Sequence, residues 1–478
     1  MAHVKHMSER VSFDRKIVFI GFGSIGQALI GPLFRHFDIK PNRVEIITAD
    51  NRGEAIARDY SIPFHIAPLL KSNYQAILAP FVDAKTFVIN VSVDVSTLDI
   101  VKFCQAQGAL YVDTVIEPWA GRYTDSSTSP DERSNYALRE EMMSLRAQSG
   151  GPHSPTAILT HGANPGLVSH FVKQALLNIA ADTQTSITAP RSRSEWATLA
   201  EQLGIKVIHI AERDSQLRAA RRQPGEFTNT WSVDGFIGEG LQPAELGWGS
   251  HEKTLPVDAR QFDSGCQASI YLDRPGLSTR IRSYSPLSGP QMAFLVTHGE
   301  SISIADYFTS RDASETVTYR PTVLYAYHPN DDTILSILEL QERGWIPQEH
   351  RTVITSEIES GIDALGVLLM GHSGKSYWYG SFLSVEEARQ LAPHNNATSL
   401  QVVAGILSAI EWALKSPAQG IVEPDEMPYD QILKSAHPYL GKVFGKQIDW
   451  TPLQGRSTLF AEDIDAEDPW QFKNFRIN

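Results

Sequence analysis

Over its first third the chain alternates between short apolar, β-branched runs and longer stretches whose apolar residues recur at helical spacing. Lys16 to Ile20 (KIVFI), Val44 to Thr48 (VEIIT), Thr86 to Ser92 (TFVINVS), Leu110 to Val115 (LYVDTV) and Thr156 to Thr160 read as strands. Asn73 to Val82, Leu98 to Gln107 and Asp131 to Gln148 read as helical stretches between them. A further helix is expected after His161-Gly162-Ala163-Asn164-Pro165-Gly166, with Pro165 in its first turn and Leu167, Val168, Phe171, Val172, Ala175, Leu176 and Ile179 on its apolar stripe. This rhythm predicts an α/β fold, a Rossmann-type doubly wound parallel sheet over residues 12–165. From about residue 166 the alternation gives way to polar and glycine-rich stretches. Short β-prone runs between Ser269 and Phe308 and from Tyr319 to Tyr327 predict a second α+β domain with a largely antiparallel sheet, over 166–397. Ser384 and Glu387 form a capping-box pattern at the head of a helix. Leu400 to Leu414 is apolar on nearly every face, so its helix belongs inside the protein. The chain is expected to return there and complete the first domain with residues 398–478, the acidic and aromatic tail forming a surface wrap or subunit contact.

The first apolar run flows directly into Gly21-Phe22-Gly23-Ser24-Ile25-Gly26 and then a helix-compatible segment, the order of a dinucleotide fingerprint. Gly21 allows the tight turn, Gly23 lets the backbone approach a pyrophosphate, Gly26 permits close packing of helix on strand, and Ser24 and Ile25 open the helix whose N-terminus faces the phosphates. Asp50 follows the second strand, somewhat farther along than the about 20 residues usual for the acid that bonds the ribose. An acid there repels a 2′-phosphate and favours NAD over NADP. Ligands of such sheets bind beyond the carboxyl ends of the strands, which singles out Asn90, Ser92, Asp94, Asp113, Thr114 and Glu117. On residue type alone Asp94 and Glu117 serve equally well as helix caps or surface acids. Asn164 suits a substrate amine, a carboxamide or an ordinary capping turn. Farther on, Trp231 stands in a turn-prone NTWS as a core aromatic or a binding platform, and His298 and Glu300 close a strand as THGE. Glu212 lies in HIAERD and Glu239 in GEG. The His-x-Glu spacing has no companion ligands at a recognisable spacing, so no metal site is expected.

Composition narrows the classes. A length of 478 residues calls for two or three compact units. A net charge of −13 leaves no basic footprint for nucleic acid or an anionic membrane. With 42% hydrophobic and 20% charged residues and a polar start without a signal-peptide core, the composition is that of a soluble globular protein. Two cysteines build no disulfide framework, which suits a reducing cytoplasm.

The motifs GFGSIGQ, NVSVDVSTLDI, ALYVDTVIEPW, HGANPG, HIAERD, NTWSVDGFIGEGLQPAELGWG, FLVTHGESISIADYF and DPWQF together resemble the bacterial homospermidine synthases, of the saccharopine-dehydrogenase-like superfamily. The likeness runs from about residue 15 to the C-terminus. It implies NAD held as a prosthetic cofactor, putrescine as substrate, a homodimer, and internal redox chemistry: oxidation of one diamine to an imine, attack of a second amine, loss of ammonia and return of the hydride. It also implies that Trp231, Glu117, Glu212, Asn164, His298 and Glu300 line the substrate site. Asp94 and Glu239 are placed beside them because a dicationic diamine calls for carboxylates, and Trp231 supplies a π face for a positive imine. Rival readings are a saccharopine-type dehydrogenase, whose carboxylate-rich substrates call for arginines and lysines, a carboxynorspermidine-type dehydrogenase, and a catalytically silent NAD-binding sensor.

Overall fold

The computed structural model describes residues 10–149, 153–456 and 459–477. Seven strands form a parallel sheet in the order Ile421–Val422, Ala157–Ile158, Leu110–Asp113, Thr86–Asn90, Lys16–Ile20, Val44–Thr48 and Phe64–Ile66. Helices cover both faces, so its central strands are buried almost throughout, as their continuous apolar runs require. The chain winds outward in both directions from Lys16–Ile20, and that reversal opens a crevice at the carboxyl ends. The helix Thr97–Gln107 starts on a Ser96 cap and stops at Gly108, which takes the left-handed conformation with φ 76°.

The second sheet has eleven strands. Thr322–His328 pairs in parallel with Val207–Asp214 and every other pairing in this sheet is antiparallel. The molecule is therefore a Rossmann-like domain joined to a domain with a mostly antiparallel mixed sheet.

Three local expectations change. The helix near Asn73 to Val82 is shorter, Tyr74–Leu78, and the strand near Thr156 to Thr160 is only Ala157–Ile158. Pro165 lies ahead of the following helix, which runs from Leu167 to Asp182 with Gly166 at its cap; Gly166 has φ 126°, and a Cβ there would meet Gly162 oxygen at 2.3 Å. The backbone doubles back on itself at this point, so the proline belongs to the loop.

Residues 398–478 are shared between the sheets. The helix Ala397–Lys415 packs against the Ser24–His36 helix and the Leu110–Asp113 strand, and Ile421–Val422 joins the parallel sheet. Lys442–Ile448 instead pairs with Ser376–Ser384, and Arg476–Ile477 with Arg280–Ser285, both in the mixed sheet. An exposed strand edge needs a partner, and here Phe444 meets the rings of Trp378 and Phe382 at 5.2 and 5.0 Å between centroids. The tail is anchored through Trp450, Trp470, Phe472 and Phe475, all buried. Ala397–Lys415 is long and apolar enough to cross a membrane, but most of it is buried inside the protein.

Candidate active site

A cavity of ≈ 660 Å³ lies where the carboxyl ends of the parallel strands face the mixed sheet. Gly21 to Ile25 form its floor. Gly21 has φ 84°, and a Cβ on it would stand 2.8 Å from Ser92, so this turn accepts glycine alone. Nothing lies within 4 Å of a Cβ built on Gly23, which leaves backbone open to an incoming phosphate. Gly26 sits outside the cavity, against Phe22. The helix that begins at Ser24 has no acidic residue in its first turn and no side-chain cap, so its N-terminal N–H groups remain for an anion. These features fit the pyrophosphate of a dinucleotide.

Asp50 lines the mouth, where its carboxylate accepts from Arg52 Nε and backbone N at 2.8 Å each. Those hydrogen bonds hold its pKa below the ordinary carboxylate value. Ser92, Asp94 and Thr114 also line the cavity. Asn90 and Asp113 stand one layer behind. Asn90 accepts from Ser92 Oγ at 2.6 Å, and Asp113 accepts from Thr97 Oγ1, Tyr111 Oη and Thr160 N at 2.9, 2.8 and 2.6 Å. Burial raises Asp113 to about 7 despite these donors. Both tie neighbouring strand ends together.

The opposite wall comes from the mixed sheet and its loops. Glu212, on Val207–Asp214, accepts from Asn164 Nδ2 at 2.7 Å and Tyr325 Oη at 2.5 Å. Burial raises Glu212 to about 7, against the lowering effect of those two donors. His298 stands between two carboxylates, with Nε2 2.9 Å from Glu239 and Nδ1 3.3 Å from Glu300. Burial favours the neutral ring, but Glu239 and Glu300 outweigh it and push His298 up to about 10, an imidazolium at neutral pH. Glu300 opens the helix Glu300–Tyr307 and reaches the cavity only through His298. Burial, then Glu239 and Asp94, raise Glu117 well above the ordinary range. Asp94 is raised by burial and by Asp234. Trp231 borders the cavity and packs edge-on against Phe236, centroids 5.2 Å apart.

The structure thus gathers Trp231, Glu117, Asn164, Glu212, Asp94, Glu239 and His298 around one space, with Glu300 directly behind. It adds residues that the sequence did not mark. Tyr325 stacks on His298 with centroids 4.5 Å apart, and Asp234 pairs with Arg351 at the mouth. Tyr325 and Tyr327 alternate along one strand, a period of two that a buried core strand shows equally. The arrangement has a definite charge pattern. Arg52 and Arg351 are paired with Asp50 and Asp234 and Lys71 on the lining is exposed, whereas Asp94, Glu117, Glu212 and Glu239 have no lysine or arginine partner among the described residues. Such a lining attracts a cation with more than one charge.

A saccharopine dehydrogenase NADP binding domain model matches residues 17–157, and a saccharopine dehydrogenase C-terminal domain model matches 162–448. A homospermidine synthase of Blastochloris viridis is 50% identical over 97% of this chain and 98% of its own length. That of Mesorhizobium japonicum is 45% identical over 96% of each. The crystal structure of the homospermidine synthase of Legionella pneumophila in complex with NAD superposes with a TM-score of 0.92 at 47% identity, covering 98% of this chain and 99% of that one. An L-glutamate-forming saccharopine dehydrogenase of Saccharomyces cerevisiae, at 12% identity and a TM-score of 0.51, covers 91% of this chain and 100% of its own and shares the fold.

Proposed function

Because the chain belongs to the homospermidine synthase family, built on saccharopine dehydrogenase domains, we propose that it joins two putrescine molecules into sym-homospermidine and ammonia with the help of NAD. The observation that carries this reading is the set of four interior carboxylates, Asp94, Glu117, Glu212 and Glu239, none paired with lysine or arginine among the described residues. A saccharopine-type substrate, itself rich in carboxylates, meets the wrong charge here.

Gly21, Gly23, Ser24 and Ile25 hold the dinucleotide through backbone and helix N-terminus, with Asp50 at the ribose end and Asn90, Ser92, Asp113 and Thr114 shaping the strand ends beneath it. NAD supplies a hydride acceptor and, at the end of the cycle, a hydride donor, so there is no net redox change. The protein residues do the rest. Glu212, fixed by Asn164 and Tyr325, grips one ammonium of the diamine, while Glu117 and Asp94 face the other. An amine carbon releases hydride only when its nitrogen lone pair is free, so an ammonium with a pKa of about 10.4 must first give up a proton. Glu239 accepts it, steadied by the His298 imidazolium, which Glu300 orients from behind. The face of Trp231 then stabilises the positively charged imine while the second amine attacks and ammonia leaves.

We further propose that residues 12–165 with the Ala397–Lys415 helix form the NAD side and that 166–397 close the substrate side and carry a homodimer contact. The reduced cysteines Cys104 and Cys266 suit a cytoplasmic enzyme. The deciding experiment incubates purified protein with putrescine and NAD. Homospermidine and ammonia should appear in equal amounts without net NADH. Stoichiometric NADH, or no ammonia, overturns the reading.

A further inference from the structure

Behind His298 and Glu239, on the side away from the main cavity, lies a separate chamber of ≈ 20 Å³. A space of about 10–15 Å³ for the probe centre holds one water, and a water needs two to four polar partners. This chamber holds one and not two. His298 and Glu239 belong to the walls of both spaces, so they stand between the chamber and the diamine site. Its far wall carries Asn135, Ser303 and the buried pair of Arg139 and Glu423, whose guanidinium and carboxylate meet at 2.6 and 2.8 Å. Ser303 is one turn beyond Glu300 on the same helix and is buried.

Past Ser303 lies Asp425. The residue is 2% exposed, and neither carboxylate oxygen has a hydrogen-bond partner of regular geometry among the described residues, although the hydroxyls of Ser303 and Ser169 approach it. A buried carboxylate in this state is costly unless a nearby cation offsets its charge or it takes up a proton. Lys173 and Ser169 from the helix Leu167–Asp182, Tyr307 and Ser303 from Glu300–Tyr307, and Glu423 and Glu426 from its own segment make up its charged and polar surroundings. Burial, helped by Glu423 and opposed by Ser303, Ser169 and Lys173, raises Asp425 to about 6.

We propose that one water in this chamber, with Ser303, relays the substrate proton from Glu239 to Asp425 and back. The inference rests on the homospermidine synthase reading. In the outward step Glu239, having taken the proton from the ammonium, passes it to the water. The water passes one of its own protons to Ser303 Oγ, and the hydroxyl proton moves to the Asp425 carboxylate. Water and serine end unchanged, no bond to carbon is altered, and one proton has left the diamine site. The reverse sequence returns it to the departing ammonia. Ser303 and Asp425 are thus positioning residues that act through Glu239, and they keep a proton in reserve away from bulk water.

The test uses Ser303→Ala, Asp425→Asn and the double variant, each with bound NAD. Each single variant should lower kcat for homospermidine about a hundredfold, the lower end of acid–base assistance, and leave KM for putrescine unchanged. Each should also remove the limb of the pH profile along which wild-type kcat rises as Asp425 ionises. The double variant should be no worse than the poorer single one, as for two members of one path. Wild-type kcat and pH profile in Ser303→Ala, or additive losses in the double variant, overturn the relay. If Asp425→Asn does not fold, the pH limb of Ser303→Ala decides alone. Wild-type protein that makes no homospermidine fails the parent reading, whereas an active wild type with an indifferent Ser303→Ala fails only the relay.

Discussion

Trp231 is half-buried, packs T-shaped against Phe236 and also borders the cavity, so its ring is held in place without being wholly enclosed by the core. A cation–π contact in a desolvated site is worth about 2 kcal/mol, which corresponds to about 30-fold in rate. Trp231→Ala should keep its NAD, measured by absorbance of the purified protein, and lose turnover by about that factor; wild-type turnover would remove the platform role. Glu212 gives a prediction in pH. Its pKa is raised to about 7, so the ionised form that grips an ammonium grows as pH rises through 7. The diamine stays protonated over that range. KM for putrescine should therefore fall between pH 6 and 8, and Glu212→Gln should give a higher, pH-independent KM in the same titration. These side chains were legible in the sequence only as types. That Glu212 meets Asn164 and Tyr325, and that His298 sits between two acids, depends on contacts between distant strands and loops that no local spacing encodes.

Among the elements, the helix Ala397–Lys415 does the most to join site and scaffold. A Cβ on Gly405 would stand 2.0 Å from the Gly162 carbonyl oxygen, in the loop that carries Asn164. Gly405→Ala must push that loop, at a cost of about 1–3 kcal/mol for overpacking. It should lower the urea midpoint and reduce kcat/KM more than its stability loss explains; unchanged kinetics would show that Asn164 is placed independently. The helix itself was plain in the sequence, because a segment apolar on nearly every face has to be kept from water, and here the protein interior does so. The strand, glycine turn and helix at residue 16 onward was plain for a related reason: parallel strands covered on both faces read as unbroken apolar runs. The capping box at Ser384 also appears as its spacing requires. What the sequence hid was pairing. Lys442–Ile448 is half polar, and its place follows from the open edge of Ser376–Ser384, a fact of tertiary structure. Pro165 likewise suited a helix start until the close approach of Gly162 and Gly166 claimed it for the loop.

For the molecule as a whole, the net charge of −13 and the cavity acids that have no lysine or arginine partner among the described residues act on a dication in the same sense. Exposed charge is screened over about 8 Å at physiological ionic strength, and the buried acids are screened far less. Raising salt should therefore lower kcat/KM for putrescine, with a smaller change in kcat. A salt-independent kcat/KM would confine the attraction to the site itself.

Both sheets are closed by strands from the last stretch of the chain: Ile421–Val422 in the parallel sheet, Lys442–Ile448 and Arg476–Ile477 in the mixed one. Neither sheet therefore has its full set of strands without residues 421–477. One segment thus couples the completion of the two domains, and removing it would strip a strand from each sheet at once.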